Sequence, residues 1–175
     1  VTFGGGTGQF HLLSGLRELN KNSKITAVAG TWDSGGSSGR LRTEIGVLPP
    51  GDIRRCVLAL MKDGKQRKVA QKLFDDRLKD MNGPLKGHSF GNLLTARLDN
   101  LYSGQDRGID AECELFRISA KVMPVSMSKV ELIAETKMGT QIVGETNIDL
   151  RVENKNYNPQ DKINRIYFDT SADIN

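Results

Sequence analysis

A chain of 175 residues fits one domain of ordinary size and is long enough to bury its own apolar core. Apolar residues make up 37% and charged residues 26%, and no apolar run approaches the roughly 18 residues that a bilayer crossing needs, so membrane insertion is not expected. The formal net charge of +4 could suit nucleic acid, but aromatic residues are only 6% and no dense Lys/Arg block occurs; DNA and RNA are not expected, and the excess serves a small phosphorylated ligand or a solvated face.

In chain order, Val1-Thr2-Phe3 is β-branched and aromatic and runs into Gly4-Gly5-Gly6-Thr7-Gly8, after which Phe10, Leu13, Leu16 and Leu19 recur at helical spacing. This reads as strand, glycine turn, helix. The strand is short for a buried one, which points to further residues before Val1. Ile25 to Gly30 supplies a second strand, and the β-turn-α-β order argues for a parallel sheet with a right-handed crossover. Asp33 to Arg42 reads as a loop rich in Gly, Ser and Arg, followed by Pro49-Pro50-Gly51 and a helix capped by Asp52 with Ile53, Val57, Leu60 and Met61 as its apolar face, ended by Gly64. Residues 65 to 81 read as an amphipathic helix with a basic outer face, stopped by Asn82-Gly83-Pro84. Gly87-His88-Ser89-Phe90-Gly91-Asn92 opens another helix, and residues 109 to 120 read as one more.

Beyond Lys121 the pattern changes to period two, over Val122 to Ser126, Val130 to Thr136 and Gln141 to Asn147, with Met138-Gly139 as a turn; this predicts a small antiparallel meander. Ile163 to Phe168 is a final strand. The expected fold is α/β: a Rossmann-like three-layer parallel sheet over residues 1–120, a β-hairpin insertion over 121–150, and a return segment over 151–175. Cys56 and Cys113 form neither a disulfide framework nor a zinc pattern, and no signal peptide opens the chain, so a reducing cytoplasm is the expected compartment.

Several residue types point to an anionic ligand. Gly5, Gly6, Thr7 and Gly8 stand at a helix start, where free N–H groups and the helix dipole favour phosphate; neither the dinucleotide fingerprint nor a Walker A loop is present, and a plain tight turn is the alternative. Asp33, about 25 positions on at a strand end, suits a ribose hydroxyl or a Mg²⁺ held between phosphates, or is simply a turn residue. Gly36, Ser37 and Ser38 offer close backbone approach and hydroxyls, and Arg40 and Arg54 offer guanidinium forks. Arg40 and Arg42, two apart, share a face if the segment is extended, whereas Arg54 and Arg55 diverge by about 100° at a helix start, so one of that pair is expected in a salt bridge to Asp52, to Glu44 or at the surface. His88 and Asn92, at a helix start, can hydrogen-bond a ligand, though a lone histidine is as readily structural; no second ligand at metal spacing accompanies it. Trp32 can stack on a ring or close the core.

Four ordered blocks carry a resemblance: Gly4-Gly5-Gly6-Thr7-Gly8, Asp33-Ser-Gly-Gly-Ser-Ser-Gly-Arg-Leu-Arg, Gly46-Val-Leu-Pro-Pro-Gly-Asp-Ile-Arg-Arg and Gly87-His-Ser-Phe-Gly-Asn-Leu-Leu. Together they resemble the signature blocks of the 2-phospho-L-lactate transferase-like (CofD-like) family, closest to its gluconeogenesis-factor (YvcK-like) branch. Val122-Met-Pro-Val and the Leu132-Ile-Ala-Glu segment are similar to that branch too. The resemblance implies a cytoplasmic bacterial protein that binds a UDP-sugar such as UDP-N-acetylglucosamine and acts in carbon metabolism, cell-wall precursor supply and cell shape. A homodimer and metabolic enzymes are the candidate protein partners. For the transferase branch it implies Mg²⁺-dependent transfer of a phospholactyl-type group to the deazaflavin precursor of coenzyme F420. That branch lacks the Ser-Ser-Gly-Arg-Leu-Arg block. Family members continue with a second half bearing a Gly-Pro-Gly-Ser-type loop, so the resemblance implies that this chain corresponds to an N-terminal portion.

Overall fold

The computed structural model describes residues 1–19 and 24–173. Strand β1 (Thr2–Gly4) turns into helix α1 (Gly6–Leu19), and β2 (Thr26–Ala29) follows. Ala27 and Ala29 of β2 and Leu13 of α1 are fully buried, which fixes the face on which α1 lies. Both β1 and β3 (Lys121–Pro124) pair with β2 in parallel, in the order β1-β2-β3. The α/β class and the strand-turn-helix-strand opening are therefore as the sequence predicts.

Five α-helices intervene between β2 and β3: α2 (Gly36–Ile45), α3 (Gly51–Leu60), α4 (Lys65–Asp75), α5 (Phe90–Leu101) and α6 (Gln105–Leu115). The core gathers Ile53, Cys56 and Val57 of α3, Phe74 of α4, Ile109 of α6 and Val122 of β3 around Leu13 and the β2 alanines. Burying aliphatic side chains of this size is worth about 2 kcal/mol each, so α3, almost wholly buried, is the element the sheet is built around.

The segment read as an arginine-bearing loop is helix α2. The Asp33 carboxylate accepts from the Gly35 N–H at 2.9 Å and sets the turn, Leu41 packs with Ala96 and Leu93, and Gly46 at φ 71° closes the helix with its N–H on the Arg42 carbonyl. In a helix, positions two apart diverge by about 200°, so Arg40 and Arg42 do not share a face. Asp52 does not cap α3: Pro50 holds that place, and Asp52 sits inside the first turn. That helix ends at Leu60, four residues before Gly64, which instead precedes α4. Helix α4 stops at Asp75 rather than at residue 81, after Phe74, its last buried apolar residue, and α6 stops at Leu115 rather than at residue 120.

The boundary at residue 120 also moves. Val122 lies in β3, a strand of the parallel sheet, not in the antiparallel meander, because its partner is β2. The antiparallel sheet has the order β5-β4-β6, from β4 (Leu132–Thr136), β5 (Gln141–Val143) and β6 (Ile163–Phe168). The hairpin at Met138-Gly139 and the last strand match the sequence expectation; the second half of the Gln141–Asn147 run does not, because after Val143 the chain enters helix α7 (Glu145–Asp149). Among the described residues no helix is long and apolar enough to cross a membrane.

Candidate functional site

A cavity of about 590 Å³ opens where the chain leaves β1 and β2, the end of a parallel sheet at which α/β proteins place their ligands. Gly5, Gly6 and Thr7 line it from the first turn, Trp32 and Asp33 from the second, and Gly35, Gly36, Ser37 and Ser38 from the start of α2. Helix α3 contributes Asp52, Arg54 and Arg55, the segment after α4 contributes Arg77, and α5 contributes Asn92. Glu145 and Asp149 reach it from α7, which is tied down by the Thr146 N–H donating to Ser34 Oγ at 3.0 Å. Helix α7, which follows β5, thus lends one side of the site.

The site has two hydrogen-bonded frameworks. In the first, the Gly6 N–H donates to Asp52 Oδ1 at 2.7 Å and Arg55 donates to Thr7 Oγ1 at 2.7 Å, so α3 braces the start of α1. In the second, Ser37 Oγ accepts from the Ser89 N–H at 3.1 Å and lies 3.0 Å from His88 Nδ1. The other ring nitrogen, His88 Nε2, lies 3.8 Å from the Glu44 carboxylate. Asn92 Nδ2 donates to Ser38 Oγ at 3.2 Å, while Asn92 Oδ1 is buried without a partner.

Electrostatically the cavity is mixed. Burial, together with the repulsion of Asp33, outweighs the Gly6 N–H bond and raises the Asp52 pKa above the ordinary aspartate value. Burial likewise raises Glu145, with Asp33 and Asp149 adding to it. On the basic side Arg54 is 4% exposed, donates to the Phe74 carbonyl at 3.0 Å, and pairs with Asp75 at 3.2 Å. Desolvation lowers its pKa, and the neighbouring Arg55 and Arg77 lower it further. Three guanidinium groups that repel one another around a cavity favour an anion between them.

Of the residues singled out from the sequence, Gly5, Gly6, Thr7, Asp33, Gly36, Ser37, Ser38, Arg54 and Asn92 meet at this cavity. Gly8, Arg40 and His88 do not line it. Gly8 lies within α1. Arg40 points away because α2 is helical: its guanidinium donates to the Pro84 and Lys86 carbonyls and lies 3.5 Å from Glu44. His88 is 1% exposed and holds Ser37 from behind; desolvation lowers its pKa, with Arg40 adding to the effect. Of Arg54 and Arg55 it is Arg54 that makes a salt bridge, and its partner is Asp75 rather than Asp52 or Glu44; both arginines still line the cavity. Sequence reasoning missed Arg77, Glu145 and Asp149, which no local pattern marks. Among the described residues no group of three or more His, Cys, Asp or Glu side chains is arranged to hold a metal ion. Asp33, facing the cavity, fits the single-carboxylate role that Mg²⁺ takes when a ligand's phosphates supply the rest.

The model of the family described as 2-phospho-L-lactate transferase CofD matches residues 1–173. The chain belongs to this family. It is 40% identical over 146 residues to the gluconeogenesis factor of Bacillus subtilis strain 168, covering 83% of this chain and 44% of that protein. The gluconeogenesis factor of Halalkalibacterium halodurans is 40% identical over 148 residues, covering 85% of this chain and 44% of the relative. A crystal structure of a Bacillus halodurans protein superposes with a TM-score of 0.81 at 37% identity, covering 95% of this chain and 49% of that one. The chain is thus a homologue of gluconeogenesis factors and spans less than half the length of these curated relatives.

Proposed function

We propose that the cavity binds a phosphorylated nucleotide sugar of the UDP-N-acetylglucosamine kind and that the protein is a metabolic regulator acting in the cytoplasm on carbon flow and cell-wall precursor supply. One observation carries the reading: Arg54, Arg55 and Arg77 share a single cavity with Asp33, Glu145 and Asp149. Guanidinium forks suit a diphosphate, carboxylates suit the hydroxyls of ribose and sugar, and Trp32 offers a face for a base or ring. Mg²⁺, where the ligand brings it, would be held by Asp33 and would neutralise phosphate charge beside the carboxylates. The relatives' name supports the metabolic part of the reading.

Thermal shift of the intact protein with UDP-N-acetylglucosamine tests it. A ligand at a hundredfold excess over Kd stabilises by about 2.7 kcal/mol, so a clear rise in Tm is expected and an unmoved Tm at millimolar ligand defeats the reading. The family description supports a second reading, transfer of a phospholactyl-type group onto a deazaflavin acceptor. It predicts product from a guanylylated phospholactate donor with Mg²⁺, and turnover that vanishes on Asp33→Asn.

A further inference from the structure

Behind the cavity, α5 and α6 enclose a set of polar groups that the binding site does not use. Glu112 is fully buried, Thr95 likewise, and Asp99 nearly so. The two helices approach so closely that a side chain on Gly108 would stand 2.7 Å from the Asp99 backbone nitrogen. Both oxygens of Asp99, and Oε2 of Glu112, have no hydrogen-bond partner. Thr95 Oγ1 lies 3.1 Å from the Gly91 carbonyl and 3.2 Å from Glu112 Oε1.

That hydroxyl has one proton and two oxygen neighbours. If Thr95 donates to Gly91, which can only accept, the second contact is a hydrogen bond only when Glu112 itself donates. A carboxylate here would be a charge without donors, which burial makes costly. The charged groups whose fields reach Glu112 are Asp99 from α5, which repels, and Arg54 from α3, which attracts; Asp110 and Glu112 on α6 both bear on Cys113. We propose that Glu112 is a proton latch: as the neutral acid it donates to Thr95, Thr95 donates to Gly91, and the chain of bonds fastens the first turn of α5 and the cavity wall that this turn holds.

The mechanical link is short. Gly91 packs bare against Arg54 and Phe74, Asn92 donates to Ser38, and the Ser89 N–H donates to Ser37. When Glu112 loses its proton to solvent, the Thr95 hydroxyl turns to the carboxylate, and the Gly91 carbonyl loses the hydroxyl's bond and keeps that of its helical turn. Burial pushes Glu112 up to about 8 and Asp99 up to about 7. Both values lie above those of the unfolded chain, so the fold gains from these groups on the acid side and loses that stability as pH rises from the ordinary carboxylate range up to the raised values.

Glu112 is a positioning residue, and the test needs no ligand, so it stands apart from the nucleotide-sugar reading. His88, one of two histidines, touches Ser37 and reports on the wall by side-chain NMR of the intact protein. Its own pKa is lowered from 6.5, so between pH 7 and about 9 it moves only if its surroundings move. In the unaltered protein its resonances shift with a midpoint near the Glu112 value. Glu112→Gln, whose amide donates to Thr95 at every pH, stays folded and abolishes that shift. Thr95→Val uncouples His88, and Thr95→Ser restores the response. Asp99→Asn keeps the response and lowers its midpoint, because one repelling charge is gone. A stationary His88 in the unaltered protein, an unchanged shift in Glu112→Gln, or a Glu112→Gln chain that does not fold overturns the latch.

Discussion

Helices α1 and α2 both begin at the cavity after a glycine-containing turn, yet they meet it in opposite states. At α1 the Gly6 N–H is already bonded to the Asp52 carboxylate, so the chain supplies its own anion. At α2 the residue before the helix is Gly35, which makes no side-chain cap, and the hydroxyls of Ser37 and Ser38 are held from behind by Ser89, His88 and Asn92. A glycine-rich turn reports that something comes close; it does not say what. At Gly5 the close neighbour is Asp52, whose Oδ2 would lie 2.0 Å from a Cβ placed there. On the proposed reading a phosphate is disfavoured at the closed end and is expected at the open end, which shares the cavity with Arg54, Arg55 and Arg77.

The sharpest way to break that comparison is a pair of alanines. Gly5→Ala forces Asp52 out, losing a charge-assisted hydrogen bond and straining the α1–α3 contact, with an expected cost of about 3 kcal/mol. Gly36→Ala meets nothing within 4 Å; its cost is that of holding alanine at φ +48°, about 1 kcal/mol. Urea unfolding of the two variants measures both. Equal losses would mean that Asp52 does not close α1.

The same contrast explains what the sequence could and could not disclose. The opening strand, α1 and β2 were legible because Val1-Thr2-Phe3 and the Phe10-Leu13-Leu16 spacing are local signals, and β6 was legible from its Ile and aromatic residues, Ile163, Ile166, Tyr167 and Phe168, after a polar loop. Helix α2 was not, because Gly36, Ser37, Ser38 and Gly39 carry poor helix propensity; Leu41 packing with Ala96 and the Gly46 cap make the helix, and only the second of these is local. That one misreading turned Arg40 towards the site on paper and away from it in the fold. Strand β3 shows the same limit: its short run allows either sheet, and its partner β2 lies more than 90 residues back. For the site, composition identified the glycine, serine and arginine segments, whereas Arg77, Glu145 and Asp149 reach it through topology alone.

A smaller effect sharpens the open side. Arg77 is exposed and lines the cavity with Arg54 and Arg55. Arg77→Ala is expected to leave stability within about 0.5 kcal/mol of the parent, as exposed substitutions do. It should also weaken UDP-N-acetylglucosamine binding about tenfold, the loss of one charge-assisted contact worth about 1.4 kcal/mol. Calorimetric titration separates the two. An affinity unchanged by Arg77→Ala would move the anion away from this wall.

The smallest change tests the closed side without disturbing it. Asp52→Asn keeps an oxygen for the Gly6 N–H and removes the charge that repels Asp33, so stability at neutral pH is expected to move by less than about 1 kcal/mol. The pH profile gives the finer reading. Burial raises the Asp52 pKa above 3.8, so the folded chain binds a proton more readily than the unfolded one, and stability declines as pH rises through the carboxylate range. In Asp52→Asn that part of the decline disappears, while the loss at higher pH assigned to Glu112 and Asp99 remains. If the neutral amide also lets a phosphate-bearing ligand bind more tightly, the Asp52 carboxylate in α3's first turn is what keeps phosphate off α1.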